Sequence, residues 1–163
     1  MRVGMGTLKE QALALRVGLL AGYVSVADVV AWADRLIVGD QAGAVPQALD
    51  LALLRPEGVA DAITLLGQVP GDAAAPAIGR SAARVIYWRL ASGGIDTERA
   101  ARALYRLMRE GFAPDPEFES MAYTFDDTVD LVKQGVYGTV DEVRVQMLAY
   151  LRRFATDEPA PGA

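Results

Sequence analysis

The apolar residues of this chain recur every three to four positions almost from end to end, and the recurrence breaks off at glycines: Gly22, Gly39, Gly67, Gly93-Gly94 and Gly111. This pairing of period and punctuation constrains the fold more than any other feature. A period near 3.6 gathers apolar side chains on one face of a helix, whereas a half-buried strand needs strict alternation. A glycine just past the last periodic residue supplies the left-handed backbone on which many helices end. No segment alternates over a strand's length between hairpin turns, so a sheet is not expected.

The start signals agree with the stops. Thr7-Leu8-Lys9-Glu10 and Thr139-Val140-Asp141-Glu142 have the spacing of a capping box, in which hydroxyl and carboxylate each satisfy an orphan amide. Ser25 is placed to cap a helix whose stripe is Val26, Val29, Val30, Ala33, Leu36 and Ile37, and Asp96 or Thr97 to start one carrying Ala100, Ala103, Leu104, Leu107 and Met108. Val45-Pro46 and Arg55-Pro56 put proline where a first turn tolerates it, predicting short helices over 47–54 and 57–66. Ile78, Ala82, Val85, Ile86 and Leu90 mark a long helix. Short helices are predicted over 116–122 and 125–134, and a last one over 140–154.

The loop around Pro70-Gly71-Asp72 lies between two helical halves but is too short to hold separate domains apart. The expectation is therefore an all-α, single-domain bundle of about seven to nine helices over residues 1–155, followed by a disordered C-terminal tail over 156–163. At 163 residues such a chain can bury roughly 68–70% of its unfolded surface, enough for one core without staples.

Chemistry is bounded by what the composition omits. There is no histidine and no cysteine, which removes imidazole acid-base catalysis, thiol nucleophiles, disulfides and the usual zinc ligands. No Walker or dinucleotide loop and no Gly-x-Ser-x-Gly elbow occurs, and the two lysines, Lys9 and Lys133, sit in no catalytic motif. Trp32 and Trp88 lie among helical apolar neighbours, where packing is the expected role. A net charge of −5 argues against nucleic acid as a direct partner, since phosphate contacts need a basic surface. The longest uncharged run, residues 17–27, is too short for a membrane span. A cytoplasmic protein without cofactors is expected.

The charges that remain are polarised. From Arg80 to Arg109 lie seven arginines against two acids; from Glu110 to Asp130 lie seven acids and no base. Arg99, Arg102, Arg106 and Arg109 fall within an arc of about 80° on a helical wheel and form a ridge. The simplest use of that ridge is internal pairing with the acidic segment. The functional alternative is that Glu117, Phe118, Glu119, Tyr123, Phe125, Asp126, Asp127 and Asp130 present an acidic and aromatic face to a basic protein partner. In a homo-oligomeric scaffold the ridge of one copy would meet the acids of another.

Asp126-Asp127-Thr128-Val129-Asp130 also spells an aspartate-rich pattern suited to magnesium and a diphosphate, because carboxylates four apart share a helix face. A small magnesium-dependent enzyme acting on a phosphorylated substrate through Asp126, Asp127 and Asp130 is therefore a second reading. It lacks an evident partner helix with further carboxylates.

The stretch Gly22-Tyr23-Val24-Ser25-Val26-Ala27-Asp28-Val29-Val30-Ala31-Trp32-Ala33-Asp34, with Gly135-Val136-Tyr137-Gly138-Thr139 before the last helix, resembles small all-helical bacterial proteins of the contact-dependent or polymorphic-toxin immunity type. That resemblance implies a non-enzymatic inhibitor that occludes the active site of a cognate toxin. It implies no particular contact residues. The echo between the two stretches (tyrosine, hydroxyl cap, valine, acid, valine) is what two independent helix starts require, and is not read as a repeat.

Overall fold

Hydrogen bonds at the helix ends take the form that the capping residues dictate. The computed structural model describes residues 6–155, and the predicted tail lies outside them. Among the described residues there are eight helices and no strand: α1 (Leu8–Ala21), α2 (Val26–Val38), α3 (Ala48–Ala52), α4 (Val59–Gln68), α5 (Ala75–Ala91), α6 (Thr97–Arg109), α7 (Pro116–Lys133) and α8 (Val140–Leu151). Two 3-10 turns, Ala42–Ala44 and Arg152–Phe154, complete the all-α bundle.

Thr7 and Thr139 each accept from the amide three residues on while their own amides donate to Glu10 and Glu142, closing both expected capping boxes. Ser25 does more than a simple cap. Its amide donates to Asp28 Oδ2 at 2.7 Å and Asp28 N donates back to Ser25 Oγ, making a third box with aspartate in the glutamate position. The matching chemistry at Ser25 and Thr139 accounts for the sequence echo. Asp96 and Asp115 cap α6 and α7 by accepting from Arg99 N and Phe118 N, each at 2.8 Å.

The core forms where the apolar stripes meet. Helix α5 packs against α1, α6, α8 and the closing 3-10 turn, burying Ala82, Ala83, Ile86 and Leu90. The loop between α6 and α7 also crosses α5 closely, because Gly79 has no side chain: a Cβ there would lie 1.7 Å from Phe112 O. Helix α1 joins α2 through a buried polar link, Trp32 Nε1 donating to Gln11 Oε1 at 2.9 Å, while Gln11 Nε2 donates to Gly6 O. Trp32 is thus a core residue with its one donor satisfied.

Basic side chains close several helix ends from a neighbouring helix. Lys9 Nζ donates to Gly67 O and Val69 O at the end of α4, and Arg144 Nη2 to Leu90 O and Ala91 O at the end of α5. Arg99 Nη2 reaches Gly22 O and Arg106 Nη1 reaches Leu20 O at the end of α1. A cation at the negative end of a helix also satisfies carbonyls that have no intrahelical donor, an effect of about 0.3–1 kcal/mol at exposed ends.

One expected element is corrected. Residues 116–134 form a single helix, α7, rather than two short ones. Phe118, Ala122, Phe125 and Val129 are all buried and span an arc of only about 60° on the wheel, so one stripe runs through the supposed break. The hydroxyls of Thr124 and Thr128 donate to the carbonyls of Ser120 and Thr124, which accommodates these weaker helix formers.

Candidate functional site

The eight acidic and aromatic residues singled out from the sequence all lie on α7, and its register divides them. Phe118 and Phe125 are buried, at 1% and 2% exposure. Phe118 meets Phe154 edge to face at 6.0 Å between ring centroids, and Phe125 meets Tyr150 at 5.9 Å. These two rings are core residues and cannot anchor a partner at the surface, which corrects the expectation for them. Burying an aromatic side chain contributes roughly 1.5–3 kcal/mol to folding.

Three of the five candidate acids, Glu117, Asp126 and Asp130, are already engaged. Arg102 extends both guanidinium nitrogens across one turn of α7, Nη1 to Asp126 and Nη2 to Asp130 Oδ1, the latter at 2.7 Å. Asp126 is the more enclosed of the two, its side chain 14% exposed against 47% for Asp130. Arg153 likewise takes Asp115 and Glu117 at the start of α7 while its guanidinium lies over the rings of Tyr150 and Phe154. These contacts hold the Arg102 and Arg153 guanidinium pKa values above their ordinary range; the accepting carboxylates outweigh an opposing, and individually larger, desolvation.

The arginine ridge thus meets α7 through Arg102. Arg99 and Arg106 turn instead to the carbonyls of α1, Arg106 also pairing with Glu110 on its own helix at 2.7 Å. Arg109 is exposed. Arg153 sits in the closing 3-10 turn, outside the ridge, and no sequence pattern singled it out.

This arrangement bears on the aspartate-rich motif. Asp126 and Asp130, the two carboxylates that share a face, are bridged by one guanidinium, which stands where a hard cation would be held. Among the described residues no group of three or more acidic side chains is placed to hold a metal ion.

What α7 leaves to solvent is a second stripe. Glu119, Tyr123, Asp127 and Leu131 follow at four-residue spacing on the side opposite the core stripe, and all four are exposed. Tyr123 is 49% exposed, and its ring is held by Tyr105 of α6 in an edge-on contact at 5.5 Å and 78°. Glu119 and Asp127 flank it outside the ion pairs of the Arg102 and Arg153 clusters. The candidate face thereby contracts from eight residues to Glu119, Tyr123 and Asp127, with Leu131 added by its exposure.

No known family, curated protein or solved structure matches this chain. Among the described residues no helix is long and apolar enough to cross a membrane.

Proposed function

We propose that the chain is a non-enzymatic protein-binding module, an inhibitor of the immunity type that covers the basic active site of a bacterial toxin. The observation that supports this reading most is the outer stripe of α7. A tyrosine braced by a second ring and flanked by two acids combines an aromatic anchor of low conformational freedom with charges that attract a basic surface. Such charges raise association rates and discriminate against acidic partners. Occlusion needs no catalytic group on the inhibitor, in keeping with a chain that has no histidine or cysteine.

The test is co-expression with each adjacent reading frame that arrests growth when expressed alone. Restored growth, lost again with Tyr123→Ala and Asp127→Asn together, supports the reading. Arrest unrelieved by the wild-type chain, or rescue that the double variant retains in full, contradicts it. The magnesium-enzyme reading requires Arg102 to release both aspartates. Calorimetry with magnesium and inorganic diphosphate distinguishes it, because the inhibitor reading expects no saturable heat.

A further inference from the structure

The turn after α1 folds back on the helix, the amides of Tyr23 and Val24 donating to Gly18 O at 3.0 and 3.2 Å. Gly18 permits this closeness, since a Cβ there would lie 2.3 Å from Val24 Cγ2 and 3.0 Å from the Tyr23 ring. Tyr23 is left 2% exposed, and its buried hydroxyl has no hydrogen-bond partner. Native interiors rarely leave such a group unpaired. Desolvation raises the phenol's pKa above its ordinary value, so the hydroxyl is neutral and able to donate at physiological pH.

Tyr23 borders an open cleft of roughly 310 Å³ whose other polar lining is Arg99, Arg102, Arg106 and Glu98, with two alanines between them. Glu98 is tied to Lys133, Arg102 to Asp126 and Asp130, and Arg106 to Glu110 and Leu20 O. Arg99 bonds Gly22 O through one nitrogen, so its charge is met there by a carbonyl dipole rather than a carboxylate. A guanidinium carries five N–H donors, and these bonds leave several unused on Arg99 and Arg106.

We infer that this cleft binds a phosphate-type oxyanion, with Arg99 and Arg106 as charged donors and, once the ligand parts the side chains that close it off from solvent, the Tyr23 hydroxyl as the neutral one. A tetrahedral oxyanion offers acceptors to several donors at once and is matched by the fork of a guanidinium, which a chloride ion is not. The ligand is either free phosphate or a phosphomonoester on a larger molecule. The cleft draws on α1 and α6 rather than the outer stripe of α7, so it stands independently of the inhibitor reading.

The experiment is an NMR titration of the full chain with inorganic phosphate, and separately with adenosine 5′-monophosphate, at ionic strength held constant with sodium chloride. Saturable shifts at Tyr23 and the Arg99 side chain are expected, with a phosphate Kd on the order of 1 mM. Equal affinity for both probes marks the ion as the ligand; tighter binding of the ester marks an attached group. Arg99→Gln should weaken phosphate binding at least about tenfold and Tyr23→Phe about fivefold. Tyr23→Phe preserves the ring and its packing, so a folded variant is available. Shifts that rise linearly without saturation, or saturable binding that both variants leave unchanged, would overturn the assignment.

Discussion

The two faces of α7 are built from the same kinds of residue and do opposite things. On the inner face Phe118 and Phe125 join Ala122 and Val129 in the core, and the neighbouring acids Asp126 and Asp130 are bridged by Arg102. On the outer face Tyr123, Glu119 and Asp127 reach solvent. Acids interleaved with aromatic rings therefore do not define a surface; helical register does. Moving one position along this helix turns a side chain through about 100°, enough to pass from core to water.

The sharpest way to break the contrast is at the inner face. Phe125→Ala should lower the unfolding free energy by about 3–5 kcal/mol, because it removes a buried ring and leaves a space against Tyr150. Urea denaturation reads the loss directly. A cost below about 1 kcal/mol would mean that the ring is not a core residue.

Alkaline titration probes the buried side of the bundle by another route. Tyr23 and Tyr150 both have folded pKa values raised above the ordinary phenol value, Tyr150 to about 12, chiefly through desolvation. Their contribution is fully present below about pH 10, the unfolded value, and is lost as pH rises through the folded one. Stability should then fall, with a limiting slope of roughly 1.4 kcal/mol per pH unit for the buried Tyr23 and less for the partly exposed Tyr150, whose charge solvent screens. The urea midpoint, compared at pH 9 and pH 11, should drop, and drop less in Tyr23→Phe.

The clasp between α6 and α7 is weaker. Arg102→Met should cost about 1 kcal/mol at low salt, and most of that difference should vanish in about 1 M sodium chloride, where exposed ion pairs are screened. Equal losses at both ionic strengths would point to packing by the arginine stem instead. Smallest of all, Asp127→Asn should change stability by less than about 0.5 kcal/mol, since the side chain is exposed and outside the ion pairs of Arg102 and Arg153.

Much of the bundle was legible in the residues. Thr7, Ser25, Asp96 and Thr139 start helices because their side chains can reach an amide three residues on, and a local geometric rule needs no tertiary knowledge. The continuity of α7 was legible too, in the 4-3-4 spacing of Phe118, Ala122, Phe125 and Val129, although weak helix formers stand at Tyr123 and Thr124. Packing of one long stripe outweighs their propensity. The partners of the basic residues were not legible. A wheel places Arg99 and Arg106 on a ridge but cannot tell that α1 ends beside them with bare carbonyls. The same holds for Lys9 of α1, which reaches the end of α4, and for Arg144 of α8, which reaches the end of α5. Within the candidate face the exposed subset was not legible, because charge and aromaticity were read without register.

The proposed division of α7 into a structural and a binding face is tested most directly by one variant measured in two ways. Glu119→Gln, Tyr123→Ala and Asp127→Asn combined should leave the urea unfolding free energy within about 1 kcal/mol of wild type. The same variant should lose at least about tenfold in affinity for the growth-arresting partner found by co-expression, with a shallower dependence on salt. Unchanged affinity and salt dependence in a folded variant, or collapse of the fold itself, would contradict the account.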